Sequence, residues 1–215
     1  MKKFAVRILT LVFGLFLFAL GIVISINANI GYAPWEVFHV GLAQKIELSI
    51  GTVSIVTGIV IVLVTVVLGE KIGLGTLLNM LLIGVFIDLI FMVNIIPWME
   101  TLWFGIPMLI TGLFFIAVGS YFYIRSAFGV GPRDNLMVVL NRKTRLPIGV
   151  CRSAIELTVT LIGWILGGMA GIGTVISVIG IGFFIQLTFN IFKFVPTSVK
   201  HETLRETCKN LFTNP

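Results

Sequence analysis

The chain has 215 residues, of which 58% are hydrophobic and only 11% charged, whereas a soluble domain carries about a quarter charged residues. So little charge cannot cover a water-facing surface, which excludes a soluble globular protein. The net charge of +6 comes without an aromatic-basic motif or a nucleic-acid fold signature, so nucleic acid is not expected as a partner and the charge is read as retention on one side of a membrane.

The elements follow from the uncharged runs 8–35, 48–69, 101–124 and 157–192. A bilayer needs about 20 apolar residues per helix, and strand-like alternation is absent, so the chain reads as an all-α membrane protein. Six transmembrane helices are predicted near 6–27, 50–68, 74–93, 102–124, 148–167 and 173–193. The first follows Met1-Lys2-Lys3 and looks like a signal peptide, but no clean cleavage site follows it. Residues 11–26 also recur as 109–124, so this segment is read as part of the fold.

Between spans one and two, residues 34–48 are too short to cross. Fifteen residues of helix reach about 22 Å, against a core of ~30 Å. They also carry Glu36, His39, Lys45 and Glu47. Segment 132–146 is their polar counterpart. Each is predicted to be a short broken or interfacial helix, either re-entering the membrane or lying on it. Residues 194–215 form a cytoplasmic amphipathic tail, with Val199, Leu204, Cys208, Leu211 and Phe212 on one apolar face.

The main organising feature is an internal repeat. Shifted by 98 residues, segment 11–91 lies on 109–189 without a gap, and eight glycines and Pro34/Pro132 stay in register. With the N-terminus inside, only Lys45 among the 15 Lys and Arg residues falls outside, so both termini are expected in the cytoplasm. Each copy holds three spans, an odd number, so the second copy enters the membrane from the other side. The domains are therefore a first repeat, 1–99, a second, inverted repeat, 100–193, and the tail, 194–215.

Two turns are candidate sites. In Gly31-Tyr32-Ala33-Pro34-Trp35-Glu36 and Gly129-Val130-Gly131-Pro132-Arg133-Asp134, glycine ends a helix, proline starts another, and an acid meets the positive end of its dipole. One reading is a well-capped turn; the other is a broken helix whose end contacts a solute. The second motif is Gly69…Gly73-Leu74-Gly75-Thr76 and its copy Gly167…Gly171-Ile172-Gly173-Thr174. It reads as a hairpin with Thr76 and Thr174 as N-caps, and Gly163, Gly167 and Gly171 also permit close helix packing. On each face, one proline element shares its level with one glycine element, so the two are expected to meet.

Ionisable residues within spans are costly in lipid and face cavities or partners. Asp88 and its counterpart Gln186 are candidates. So are Glu156 and Arg152, which fall on Gly58 and Ser54 and break the symmetry. Glu156 reads either as an ion pair with Arg152 or as a proton-linked carboxylate. Asn79 and Asn190 read as interhelical hydrogen-bond partners.

No Walker A sequence, paired-histidine zinc motif or Gly-x-Ser-x-Gly elbow is present, and neither His39 nor His201 has a triad around it. The chain is not expected to be an enzyme, nor to hold a cofactor or metal. Cys151 and Cys208 lack metal-ligand spacing.

The duplicated Gly-x-x-Pro-x-acid turn, with Gly-x-Gly-Thr before the third span, resembles the bacterial YczE/YyaS/YitT group of integral membrane proteins over residues 6–193, and the YczE type in length and charge placement. The resemblance implies a bacterial cell-membrane protein and supplies no site residues. Trp35 stands where the second copy has Arg133, so the two turns need not act alike. The expectation is a small secondary-transporter-like protein for an unidentified solute. Its binding or proton-coupling groups are drawn from Gly31, Pro34, Glu36, Asp88, Gly129, Pro132, Asp134, Arg152, Glu156 and Gln186. The alternative is a non-transporting scaffold or regulatory factor acting through 133–152 and the tail. Expected partners are the bilayer, a small solute or proton, a second copy of the chain, and, in the alternative, a cytoplasmic protein.

Overall fold

The computed structural model describes residues 2–213, with side chains left undescribed at Lys2, Lys3, Thr197 and 211–213. Nine α-helices and no strands are found among them: α1 (Lys2–Asn27), α2 (Pro34–Ile46), α3 (Ile50–Val67), α4 (Leu74–Val93), α5 (Leu102–Arg125), α6 (Pro132–Thr144), α7 (Ile148–Ile165), α8 (Ile172–Ile191) and α9 (Leu204–Thr213). Six of these, α1, α3, α4, α5, α7 and α8, are long and apolar enough to cross a membrane. The two short helices, α2 and α6, open on Pro34 and Pro132.

The centre of the bundle is α1 against α5. They run antiparallel, because Gly14 lies on Gly119 and Gly21 lies on Gly112. A Cβ on Gly21 would sit 2.6 Å from the Gly112 carbonyl oxygen, so only glycine lets the backbones approach this far. Tails of lipid are as apolar as leucine, so close packing rather than water exclusion holds spans together. Leu11, Leu15, Leu109 and Leu113 fill the seam and are almost wholly buried. Around this pair, α4 packs on α1 and α8 on α5, while α2 packs on α7 and α6 on α3.

Call the end where α1 begins the near face. There the turn before α6 meets the glycine turn before α4: the Gly75 N–H donates to the Phe128 carbonyl at 2.7 Å, and the Thr76 hydroxyl to the Val130 carbonyl at 2.7 Å. At the far face the turn before α2 meets the glycine turn before α8. The Gly173 N–H donates to Ile30 at 2.7 Å and the Tyr32 N–H to Met169 at 3.0 Å. Gly31 and Gly129 have φ of 112° and 119°, which glycine adopts without strain.

The threonines act differently from the expectation. Gly73 and Gly171 are the N-caps, and Thr76 and Thr174 lie three residues in. Their hydroxyls accept the N–H of Gly73 (3.3 Å) and Gly171 (3.0 Å). A glycine is needed at the cap because the opposing turn presses on it, so the polar partner moves one turn inward.

The tail is not a separate surface helix. It folds back over the near face, where the Glu202 N–H donates to Ala127 (2.9 Å) and the Leu204 N–H to Ile72 (3.0 Å). Glu202 pairs with Arg7 at 2.7 Å. Val199 and Leu204 are half-buried and Thr207 is buried, whereas Cys208 is exposed. The side chains of Leu211 and Phe212 lie outside the described residues.

Candidate functional site

A cavity of about 640 Å³ lies between the two short helices and the spans around them. Its walls come from matching positions of both sequence copies: Pro34 and Pro132, Trp35 and Arg133, Glu36 and Asp134, Ser54 and Arg152, Gly58 and Glu156, Asn79 and Ser177. The volume falls in the range of small-molecule sites, about 300–1,000 Å³, and the mixture of apolar walls with a few polar groups is typical of them.

Glu36 is in the first turn of α2, 5% exposed, and meets Arg133 of α6 at 3.4 Å. Burial raises the Glu36 carboxyl above its ordinary range, against the lowering effect of Arg133. The Arg133 guanidinium also lies over the Trp35 ring, 4.8 Å from its centre, a cation–π contact between the two residues that differ at one repeat position. Asp134 accepts a 2.9 Å hydrogen bond from the Tyr123 hydroxyl. Arg152 donates from Nε to Glu156 at 2.8 Å, within α7.

Of the candidate residues, Pro34, Glu36, Pro132, Asp134, Arg152 and Glu156 therefore share one cavity. Gly31 and Gly129 shape the turns beside it without lining it. Asp88 lies elsewhere: it accepts from the Ser49 hydroxyl at 2.6 Å and the Gly51 N–H at 2.8 Å, tying α4 to the start of α3. Gln186 is exposed and bonds Asn190 on its own helix at 2.9 Å. Neither asparagine bridges helices through its side chain among the described residues. Asn190 is taken up by Gln186, and Asn79 instead faces the cavity.

Several lining residues carried no sequence signal. His39 is 2% exposed and its Nε2 has no partner; Ser177 is 1% exposed and its Oγ has none. Burial, followed by the charge of Arg133, holds His39 well below its ordinary value, so it is neutral at pH 7. His201 of the tail reaches the cavity from the near face, with Nδ1 also unpartnered. Burial lowers its titration, partly offset by Asp134. A histidine without a motif around it gives no hint in sequence, but its repeat position does: His39 is five residues past Pro34, on the face of α2 that bears Trp35 and Glu36.

The two seams that flank this cavity differ. Along α3 and α4 the backbones touch, and a Cβ on Gly51 would land on the Gly84 carbonyl oxygen. Gly58 likewise makes room for Met80, 2.6 Å from where its Cβ would be. Their repeat counterparts, α7 and α8, make at most glancing contact, and the glycines that match Gly51 and Gly84, namely Gly149 and Gly182, face open space. Glu156 and Arg152 occupy the positions of Gly58 and Ser54.

A family of unknown function, DUF6198, matches residues 5–190. The chain is 35% identical over 177 residues to the uncharacterized membrane protein YczE of Bacillus subtilis, covering 81% of each. It is 32% identical to an uncharacterized protein of Haemophilus influenzae, covering 86% of this chain and 84% of that one. It is 27% identical to the uncharacterized protein YyaS of Bacillus subtilis, covering 77% and 83%. No solved structure matches the chain.

Proposed function

We propose that this chain, which belongs to the DUF6198 family, is a small secondary-transporter-like protein of the bacterial cell membrane, built from two inverted repeats around a central solute site. Its near face, which bears Arg7, Arg125, Arg142 and the tail, would be cytoplasmic under the positive-inside rule. The observation that carries the reading is the unequal state of the two seams. Positions that touch at Gly51 and Gly84 stand apart at Gly149 and Gly182. In a two-fold arrangement the far-face seam is shut and the near-face seam is open, as in an inward-facing state. Exchange of the two arrangements would give the outward-facing one, with the cavity shared by both copies fixed between them.

The test is a distance. Nitroxide labels on V150C/F183C, exposed positions beside Gly149 and Gly182, report the 149–182 distance by pulsed dipolar spectroscopy, in a C151S/C208S background in lipid nanodiscs. Two distance populations are expected, with the shorter one growing under a pH step or a transported solute. A single long distance under every condition removes alternating access and favours a scaffold that acts through 133–152 and the tail.

A further inference from the structure

The charges on the cavity wall do not balance. Glu36 is matched by Arg133 and Glu156 by Arg152. Asp134 has no ion-pair partner among the described residues; the neutral Tyr123 hydroxyl donates to it, and the half-buried His201 lies within range of its charge. Asn79 is near the same carboxylate, since both side chains come within 3.5 Å of where a Cβ on Gly131 would be. The cavity wall thus carries one carboxylate more than guanidinium groups; Asp134 is partly exposed in the first turn of α6, where the helix dipole and Tyr123 support it, and a cationic ligand would complete the pairing.

A second observation narrows the ligand. His39 Nε2 and Ser177 Oγ are buried, line the same cavity and have no partner. Buried polar atoms are almost always satisfied, so each is a place for a ligand hydrogen bond. A serine hydroxyl and a neutral imidazole can each accept or donate, so both can serve the hydrogen-bonding groups of a ligand held on the same wall. A bare metal ion would need more ligands than are gathered here, since no group of three His, Cys, Asp or Glu side chains is found among the described residues. A volume near 640 Å³ also exceeds what an ion occupies.

We infer that the cavity binds a singly charged organic amine with an apolar body, its ammonium at Asp134 and its hydrocarbon against the Ile22, Ile83 and Ile116 side of the wall. This rests on the solute-site reading above and names its substrate class. The phenol of Tyr123 holds the carboxylate in place.

The test is calorimetric titration of the full chain in zwitterionic-lipid nanodiscs, with empty discs as blanks. The probes are primary amines with apolar bodies of six to ten carbons, 2-phenylethylamine among them, and the isosteric 3-phenylpropionate. Amines are expected to bind and the acid not to. Asp134→Asn should weaken amine binding at least tenfold and Tyr123→Phe severalfold, while Glu100→Gln, an exposed loop carboxylate, changes nothing. Unchanged thermal unfolding of Asp134→Asn separates a lost contact from a lost fold, and Tyr123→Phe repeats the test if that variant fails to assemble. Binding of the acid in place of the amines, or amine binding indifferent to Asp134, overturns the assignment. So does an absence of binding by every amine. If the 149–182 distance still responds to pH in that case, only the substrate class falls; if it does not, the transporter reading falls with it.

Discussion

The α3–α4 seam and the α7–α8 seam start from the same sequence pattern and end in different states. Both copies keep the two glycines that allow contact, Gly51 and Gly84 in one, Gly149 and Gly182 in the other. What differs is the chemistry beside them. The first seam is latched by Asp88, which accepts from Ser49 and from the backbone of Gly51. In the second, Pro147 replaces the serine, and Gln186 replaces the acid and turns to its own helix. The first seam has Gly58 where Met80 must enter; the second has Glu156 held by Arg152. Glycines permit contact, and polar neighbours decide whether it forms.

The largest effect should come from the glycines themselves. A side chain on Gly84 runs into the Gly51 carbonyl, and overpacking of this kind costs on the order of 3 kcal/mol or more. Gly84→Leu is expected to abolish assembly, seen as aggregation on size exclusion. Gly182→Leu meets nothing and should unfold like the parent, yet lose the short 149–182 distance. Equal damage from both would erase the distinction between the seams.

The latch comes next. Asp88→Ala removes two hydrogen bonds to a charged group, for about 2 kcal/mol, and should loosen the start of α3, read as faster hydrogen exchange at 50–54. The converse graft is sharper: Arg152→Ser with Glu156→Gly gives the second seam the first copy's residues. It should shift the 149–182 population towards the short distance without ligand. No shift would mean that these two side chains do not hold the seam apart.

The repeat made the helices, the short proline-led elements and the meeting of proline and glycine turns legible, because glycines and prolines in register act through backbone geometry that the sequence displays directly. Asp88 shows the limit. A carboxylate in an apolar span reads as functional, and here it also satisfies a helix start, through the Ser49 hydroxyl 39 residues away and the Gly51 N–H. His39 shows the opposite limit. Its role comes from burial and an unpartnered nitrogen, which are properties of three-dimensional packing. The fold-back of the tail was equally illegible, since it depends on backbone groups of Ala127 and Ile72 that any residue could supply.

The short helices offer a smaller contrast: His39 on α2 matches Met137 on α6. His39 titrates below its ordinary value near 6.5, so the folded chain binds fewer protons there than the unfolded one. Its contribution is present above pH 6.5 and is lost as pH falls from there towards the lowered folded value. Glu36, on the same helix, is raised and works the other way, regaining stability as it protonates. Arg133 faces both from α6 and Glu156 adds a charge from α7. His39→Gln should therefore unfold at a higher temperature relative to the parent at pH 5 than at pH 7. A difference independent of pH would mean that His39 titrates alike in the folded and unfolded chain, and one of opposite sign that it is charged in the fold.

The smallest effect is expected at the near face, where the tail reaches the cavity through His201. Arg7 and Glu202 are partly exposed, so their pair contributes only about 1 kcal/mol or less. Glu202 also accepts from Thr207 at 3.2 Å, and the Glu202 N–H is tied to Ala127, so the pair sets the position of the segment that carries His201. Glu202→Gln should leave global unfolding within about 1 kcal/mol of the parent while raising hydrogen exchange through 201–207. If exchange rises there alone, the tail opens as a unit while the helices beneath it keep their packing. If exchange also rises at 73–76, the tail is part of what holds the near-face turns together, because Gly73 lies directly beneath the Glu202 carbonyl.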